Sequence, residues 1–142
     1  MRSFATILII VLTWASVPAL AAPACLHFEP AVSSISGMLV RKTYPGPPNY
    51  EDIKKGDRPE TGWYVRLAQP VCFVGTPGDE INGEDEAGVN LVQLVLMHNE
   101  YKTHTRLVGK NVKATGMFFR AHTGHHYTPV LLTVTSLELS EK

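Results

Sequence analysis

The sequence has no surplus of charge of either sign. Its 13 Lys and Arg residues are balanced by 13 Asp and Glu residues. Proteins that bind nucleic acid or an anionic membrane surface usually carry a clustered excess of basic residues. The charge balance therefore argues against both classes of partner, and we expect no nucleic acid to bind.

The motifs of common catalytic and metal sites are also missing. The chain has neither a G-x-S-x-G nor an H-E-x-x-H sequence, and no nucleophile stands beside a base in a recognisable pattern. The acidic stretch from Asp79 to Glu86 lacks the alternating order of an EF-hand loop. We therefore expect a protein that is not an enzyme and that carries no cofactor.

The N-terminus has the features of an export signal. Arg2 precedes an apolar run from Phe4 to Val17, and Ala19 to Ala21 provide an A-x-A cleavage site. The run is shorter than the roughly 20 residues that span a bilayer, which disfavours a membrane anchor. Residues 1–21 are thus predicted to be a secretory signal peptide. Residues 22–142 have no repeat or long linker and are predicted to form a single periplasmic or secreted domain without stable membrane insertion.

Only two cysteines are present, Cys25 and Cys72. A lipid anchor on Cys25 is disfavoured, because the residues before it lack the large aliphatic side chain typical of lipoprotein processing sites. Without a C-x-x-C spacing the pair is also a poor metal site. An even number of cysteines in an oxidising compartment favours a disulfide, so we predict a Cys25–Cys72 bond.

Alternation of apolar residues predicts five strands, with one short helix between the third and fourth. The helix is expected within His98–Gly109, and Pro70 is expected to interrupt the second strand. Residues Pro45 to Gly62 are rich in proline, glycine and charge, which predicts a long loop. The predicted strands are Ser33–Tyr44, Trp63–Phe73, Val89–Met97, Asn111–His122 and His126–Leu139.

This order of elements is that of the OB-fold. In that fold a bent first strand helps to close a Greek-key barrel, and a helix fills the gap between strands three and four. Gly37 in the first strand is the candidate bend. Other small β-barrels and sandwiches have similar element lists and are the alternatives. We predict an all-β domain with one short helix, a five-stranded OB-fold-like Greek-key barrel.

Three segments resemble an uncharacterised family of exported bacterial domains, a domain of unknown function. They are Cys25–Pro30, Tyr44–Glu51 and the run Thr123–Leu132, of the type TGHHxTPVLL. The resemblance implies a bacterial, extracytoplasmic single domain, but it assigns no catalytic residue. A shorter stretch, Leu107–Gly116, is similar to the start of strand four in many exported OB-fold proteins.

Two loops are expected to carry the binding residues. In an OB-fold, the loop between strands one and two and the loop between strands four and five flank the ligand. Aromatic side chains in a proline-stiffened loop offer flat contact area at low entropic cost. Trp63 shares a strand face with Val65 and Leu67 and is expected in the core instead. The candidate ligand-binding residues are Tyr44, Asn49, Tyr50, His122, His125 and His126.

The histidine group also allows a metal site. If Thr123 and Gly124 form a two-residue turn, His122 and His125 face each other with Cβ atoms about 5 Å apart, and His126 points to the opposite face. A transition metal normally takes three or four protein ligands, so further residues would have to complete the set. We therefore predict an exported binding module for an envelope protein or cell-wall component, with a periplasmic transition-metal-binding protein as the alternative.

Overall fold

The computed structural model of the protein describes residues 24–140. The predicted signal peptide, residues 1–21, lies outside the described residues. One short helix, α1, covers Glu100–Thr103, and 3-10 turns cover Ile53–Lys55 and Thr105–Leu107. The strands β1 to β6 are Leu26–His27, Val32–Pro45, Pro59–Val74, Glu86–Val95, Asn111–Arg120 and Val130–Leu139.

The five long strands close on themselves in a ring of hydrogen-bonded pairs. In order around the ring, β3 pairs with β2, β2 with β5, β5 with β6, β6 with β4, and β4 again with β3. Only the β4–β6 pair in this ring is parallel. The predicted fold class is confirmed: an all-β domain with one short helix, in which five strands form a barrel-like ring.

Gly37 lets β2 serve two neighbours. Residues 32–38 of β2 pair with β5, whereas residues 37–45 pair with β3. A Cβ atom at Gly37 would collide with the carbonyl oxygen of Arg66. The missing side chain therefore allows the close approach at which the strand changes partners, as the sequence predicted for this position.

The interior of the ring is filled by the inward-facing side chains of all five strands. Trp63, Val65 and Leu67 are buried along β3, which confirms their predicted face. The segment after β4 adds Leu107 to the core and places Tyr101 edge-on against Trp63, with ring centroids 5.6 Å apart. This segment is an α-helical turn followed by a 3-10 turn, shorter than the helix region predicted.

Several predicted strand ends were wrong, and two of these errors affect the loops. First, β3 begins at Pro59 rather than Trp63, and it continues through Pro70, where its register with β4 shifts between Arg66 and Val71. Proline lacks a backbone donor but is tolerated at the first residue of a strand and at irregularities of this kind. Second, β5 ends at Arg120 and β6 begins at Val130, so residues 121–129 form a long loop instead of a two-residue turn.

The predicted disulfide between Cys25 and Cys72 is confirmed. Beside it, β1 pairs in parallel with the end of β3, Leu26 lying opposite Phe73. The bond therefore ties the N-terminal segment to β3 beside a parallel pair of strands. Across residues 24–140, no helix is both long enough and apolar enough to cross a bilayer.

Removing the disulfide is expected to destabilise the domain without unfolding it, because the ring of strands closes without β1. The two cysteines are 47 residues apart, and closing a loop of this length stabilises a fold by about 4 kcal/mol in the chain-entropy model. Urea unfolding of the mature domain, with and without reductant, measures the difference. A Cys25→Ser, Cys72→Ser variant should match the reduced protein; equal midpoints for oxidised and reduced protein would contradict the prediction.

Candidate functional site

The two loops singled out in the sequence meet at one surface. Residues 46–58 connect β2 to β3, and residues 121–129 connect β5 to β6. Tyr44, at the end of β2, stacks on Tyr127 with ring centroids 4.8 Å apart. Tyr50 contacts the His125 ring edge-on at 5.8 Å. We call the area formed by these two loops, with Tyr44 and Glu60 between them, the two-loop surface.

Glu60 links the strands to the second loop. The β2–β3 register places it directly opposite Tyr44. Its Oε2 accepts hydrogen bonds from the Tyr127 hydroxyl at 2.6 Å and from His125 Nδ1 at 2.8 Å. These bonds, the one from Tyr127 first, hold the pKa of Glu60 below its ordinary value. Burial, followed by the hydrogen bond to Glu60, raises the pKa of Tyr127, so the hydroxyl keeps its proton.

The bond to Glu60 also determines the tautomer of His125. A carboxylate only accepts, so Nδ1 of His125 carries the hydrogen, and Nε2 of the neutral ring is an acceptor. The His125 side chain is 59% exposed. The surface thus presents an oriented imidazole beside the partly exposed ring of Tyr50.

Gln93 of β4 holds the backbone of loop 121–129. Its Nε2 donates to the carbonyl of His125 at 3.0 Å, and its Oε1 accepts from the Tyr127 N–H at 2.8 Å. The neighbouring Thr128 hydroxyl accepts from the Gln93 N–H and donates to the carbonyl of Val130. The loop therefore takes its shape from a strand that is distant in sequence.

Asp57 holds the first loop in the same way. Its buried carboxylate accepts hydrogen bonds from the backbone N–H groups of Asn49, Glu51 and Asp52 and from the Asn49 side chain, at 2.8–3.2 Å. These bonds, led by those from Asp52 and Glu51, lower the pKa of Asp57. Asn49, a predicted ligand contact, thus directs its amide into its own loop.

Tyr50 is held in a conformation that few side chains adopt. Its φ of 60° lies in the left-handed region. Its ring lies against Gly124, where an added Cβ atom would be 2.9 Å from Tyr50 Cζ. Tyr50 as a whole residue nevertheless remains 38% exposed. A strained backbone that keeps an aromatic ring at the surface is a feature typical of binding sites.

Tyr44 belongs to a second layer of packing on the outside of the ring of strands. Tyr64, on the outer face of β3, is fully buried, and the centroid of its aromatic ring is 5.8 Å from that of Tyr44. Its hydroxyl has no hydrogen-bond partner within residues 24–140. Burial raises the pKa of Tyr64. Tyr44 is therefore sandwiched between Tyr64 and Tyr127 and supports the surface more than it contributes exposed area.

The structure corrects the predicted histidine pair. The ring centroids of His122 and His126 are 4.7 Å apart, whereas His125 turns away to Glu60. The His122 N–H donates to His126 Nδ1 at 3.0 Å, and His122 Nδ1 donates to the carbonyl of Arg120 at 2.9 Å. The prediction failed because it assumed a two-residue turn, which alternates side chains strictly between two faces.

The new pairing also bears on the metal alternative. Because His126 Nδ1 accepts a backbone N–H, the proton of the neutral ring is on Nε2, and neither ring nitrogen has a free lone pair for a metal ion. In the described part of the chain, no group of three or more His, Cys, Asp or Glu side chains is arranged to hold a metal ion. The arrangement of His122 and His125 on which that alternative depended is not found.

Glu60, Gln93, Asp57 and Tyr127 were not predicted as site residues. Gln93 had a signal in the sequence, since it is a polar residue in the middle of the most apolar strand. Tyr127 lies inside the run Thr123–Leu132. Glu60 and Asp57 lie in the segment Pro45–Gly62, which was predicted to be a long loop, and charged residues in a loop are usually solvated.

Comparison with known proteins supports the resemblance found in the sequence. Residues 91–138 match the model of a family described as a domain of unknown function, DUF4431. No curated protein matches the chain. The matched segment contains Gln93 and the whole of loop 121–129, and it ends one residue before the end of β6. The predicted resemblance to an uncharacterised domain is confirmed for this segment.

Replacing Gln93 by alanine is expected to loosen loop 121–129. Two side-chain bonds to the loop backbone are lost, and each contributes roughly 0.5–1.5 kcal/mol, so the free energy of unfolding should fall by about 1–3 kcal/mol. Chemical denaturation measures this loss. Asn90→Ala is the matched control, since Asn90 is an exposed amide on the same strand. Equal stability of the two variants would show that the Gln93 bonds do not hold the loop.

The Asp57 carboxyl is expected to titrate below its ordinary value of 3.8. A lowered pKa means that its stabilisation of loop 46–58 is present above pH 3.8 and is lost as the pH falls through the folded-state pKa. The ¹³C shift of the carboxyl carbon and the exchange protection of the Glu51 and Asp52 amides report the transition. Asp57→Asn should lose this protection already at neutral pH. The amide nitrogen that replaces Oδ2 carries hydrogen and cannot accept the bonds from the Glu51 and Asp52 N–H groups. Titration at or above pH 3.8 would disprove the assignment.

Proposed function

We propose that this chain is an exported, non-enzymatic binding module of the bacterial cell envelope, and that its two-loop surface contacts an envelope protein or cell-wall component. The observation that supports this most strongly is that Glu60, at the start of β3, holds loop 121–129 in place beside loop 46–58, where Tyr50 and His125 form an exposed pair. In an OB-fold-like barrel these are the loops that flank a ligand.

The loops are organised before any partner arrives. Asp57 holds residues 49–52, and Gln93 and Glu60 hold residues 125–127. Binding is weakened by the entropy lost when loops become ordered, and a prearranged surface avoids much of that cost. Hydrogen-bonded polar groups that order the loops around an exposed aromatic residue are better explained by recognition of a partner than by a purely structural role.

The exposed groups indicate the chemistry of the partner. Tyr50 offers a flat apolar face and a hydroxyl, and His125 offers Nε2 as an acceptor oriented by Glu60. A ligand with an apolar face and a nearby hydrogen-bond donor matches them, a description that fits a peptide side chain or a sugar ring. Neutral overall charge is consistent with contacts of this short-range type.

Export is the second part of the proposal. The signal-like segment 1–21 supports it, as does the disulfide, because such bonds persist in oxidising compartments. We therefore place the mature domain in the periplasm or outside the cell.

A cross-linking pull-down from envelope extract, combined with co-sedimentation on purified cell-wall sacculi, tests the proposal. The mature wild-type domain should retain a partner. The double variant Tyr50→Ala, His125→Ala should retain about tenfold less of it, or still less, as expected when exposed anchor residues are truncated. Met97→Ala, His98→Ala is the matched control, since both side chains are exposed outside the two loops. Identical retention by all three proteins would refute the assigned surface.

The same proteins separate the metal-binding alternative. A transition-metal site should raise the thermal midpoint of the wild-type domain on addition of Zn²⁺ or Cu²⁺, since a ligand that binds only the folded state stabilises it. Metal-dependent stabilisation together with partner retention that is insensitive to the Tyr50 and His125 substitutions would favour that alternative.

A further inference from the structure

One hydrogen bond of loop 121–129 requires an uncharged histidine. His126 Nδ1 accepts the hydrogen bond from the His122 N–H at 3.0 Å. A protonated imidazole carries hydrogen on both nitrogens and cannot accept. Protonation of His126 would therefore place a donor against a donor and remove this bond, while the backbone bonds from Ala121 N–H to Pro129 and from His126 N–H to Thr123 remain.

The side chains around His126 provide no negative charge that would stabilise a protonated ring. Phe119 of β5 contacts the rings of His122 and His126 at 5.7 and 5.6 Å. The titratable groups that act on His126 are His122 and His125, both from its own loop. On β5 the neighbouring charge, Arg120, is directed to Glu84 and Glu86. Within residues 24–140 no carboxylate accepts a hydrogen bond from His126.

Burial, followed by the proximity of His122 and His125, lowers the pKa of His126 below its ordinary value of 6.5. A histidine with a lowered folded-state pKa stabilises the fold fully above the unfolded-state value, and this contribution is lost as the pH falls through the folded-state pKa. The stabilisation from His126 is therefore present at neutral pH and lost in mild acid.

The other contacts of the loop do not need an uncharged His126. His125 Nδ1 donates to the Glu60 carboxylate, and Gln93 holds the His125 carbonyl and the Tyr127 N–H. The backbone bond from Ala121 N–H to the carbonyl of Pro129 joins the two ends of the loop. Protonation of His126 thus acts on residues 122–126 and leaves the remainder of the loop attached to β3 and β4.

We propose that loop 121–129 is a pH-responsive part of the two-loop surface, in which protonation of His126 releases the backbone N–H of His122 and so opens the loop locally, at residues 122–126. The consequence for binding rests on the proposed function, since a surface that opens in mild acid should hold its partner less tightly there. The opening itself requires no ligand.

Amide hydrogen exchange of the ¹⁵N-labelled mature domain tests the opening directly. After correction for the intrinsic exchange rate, the protection of the His122 amide should fall by about fivefold or more between pH 7.5 and pH 5, the effect of losing a single hydrogen bond. In His126→Asn the side-chain oxygen takes approximately the place of Nδ1 and does not titrate. That variant should keep the same protection at both pH values, and His98→Asn, at an exposed histidine outside the loop, should behave as wild type.

Titration of the wild-type protein supplies a second measurement that does not depend on a substitution. The ring signals of His126 and the amide shift of His122 should change with one common midpoint below pH 6.5. Different midpoints, unchanged protection of the wild-type amide, or an equal loss in wild type and in a folded His126→Asn variant would overturn the proposal. Because these experiments contain no partner, their failure is distinguishable from a failure of the pull-down.

Discussion

The Glu60 carboxylate is the contact on which the two-loop surface depends. It lies at the beginning of β3, opposite Tyr44 on β2, and it accepts hydrogen bonds from Tyr127 and His125 of the distant loop. One ionised group thereby fixes the position of a loop, the tautomer of an exposed imidazole and the stacking of two tyrosines. Because both donors approach the same oxygen, the loop has little freedom to shift while Glu60 stays charged.

The closed ring of strands makes that contact possible. Strand β3 lies between β2 and β4. Its outer face carries Glu60 and Tyr64, and Gln93 of β4 lies opposite Tyr64. Tyr64 is fully buried although it lies on the outside of the ring of strands, and the Tyr44 side chain packs against it. The domain therefore has a polar and aromatic packing layer outside its apolar core, and the candidate site is the exposed rim of that layer.

The sequence predicted the core better than the site. Period-two patterns in β2, β3 and β5 come from burial on one face, a local property that composition reports directly. Glu60 escaped because a proline at position 59 and a glycine at 62 resemble a loop, although neither prevents pairing at the start of a strand. The predicted pairing of His122 with His125 was wrong for a related reason. Gln93 hydrogen-bonds to the backbone of loop 121–129, so a long loop connects the strands instead of a tight turn.

By itself, the sequence determined the order of the five long strands along the chain, the special role of Gly37, the disulfide partners and the two loops proposed to bind. These follow from side-chain size, periodicity and cysteine number, which act along the chain. Only the tertiary structure decided which polar groups meet: Asp57 with its own loop, Glu60 with His125 and Tyr127, Gln93 with their backbone, and His122 with His126. These hydrogen bonds depend on register, on loop conformation and on distances of about 3 Å, and no pattern along the chain encodes distances of that kind.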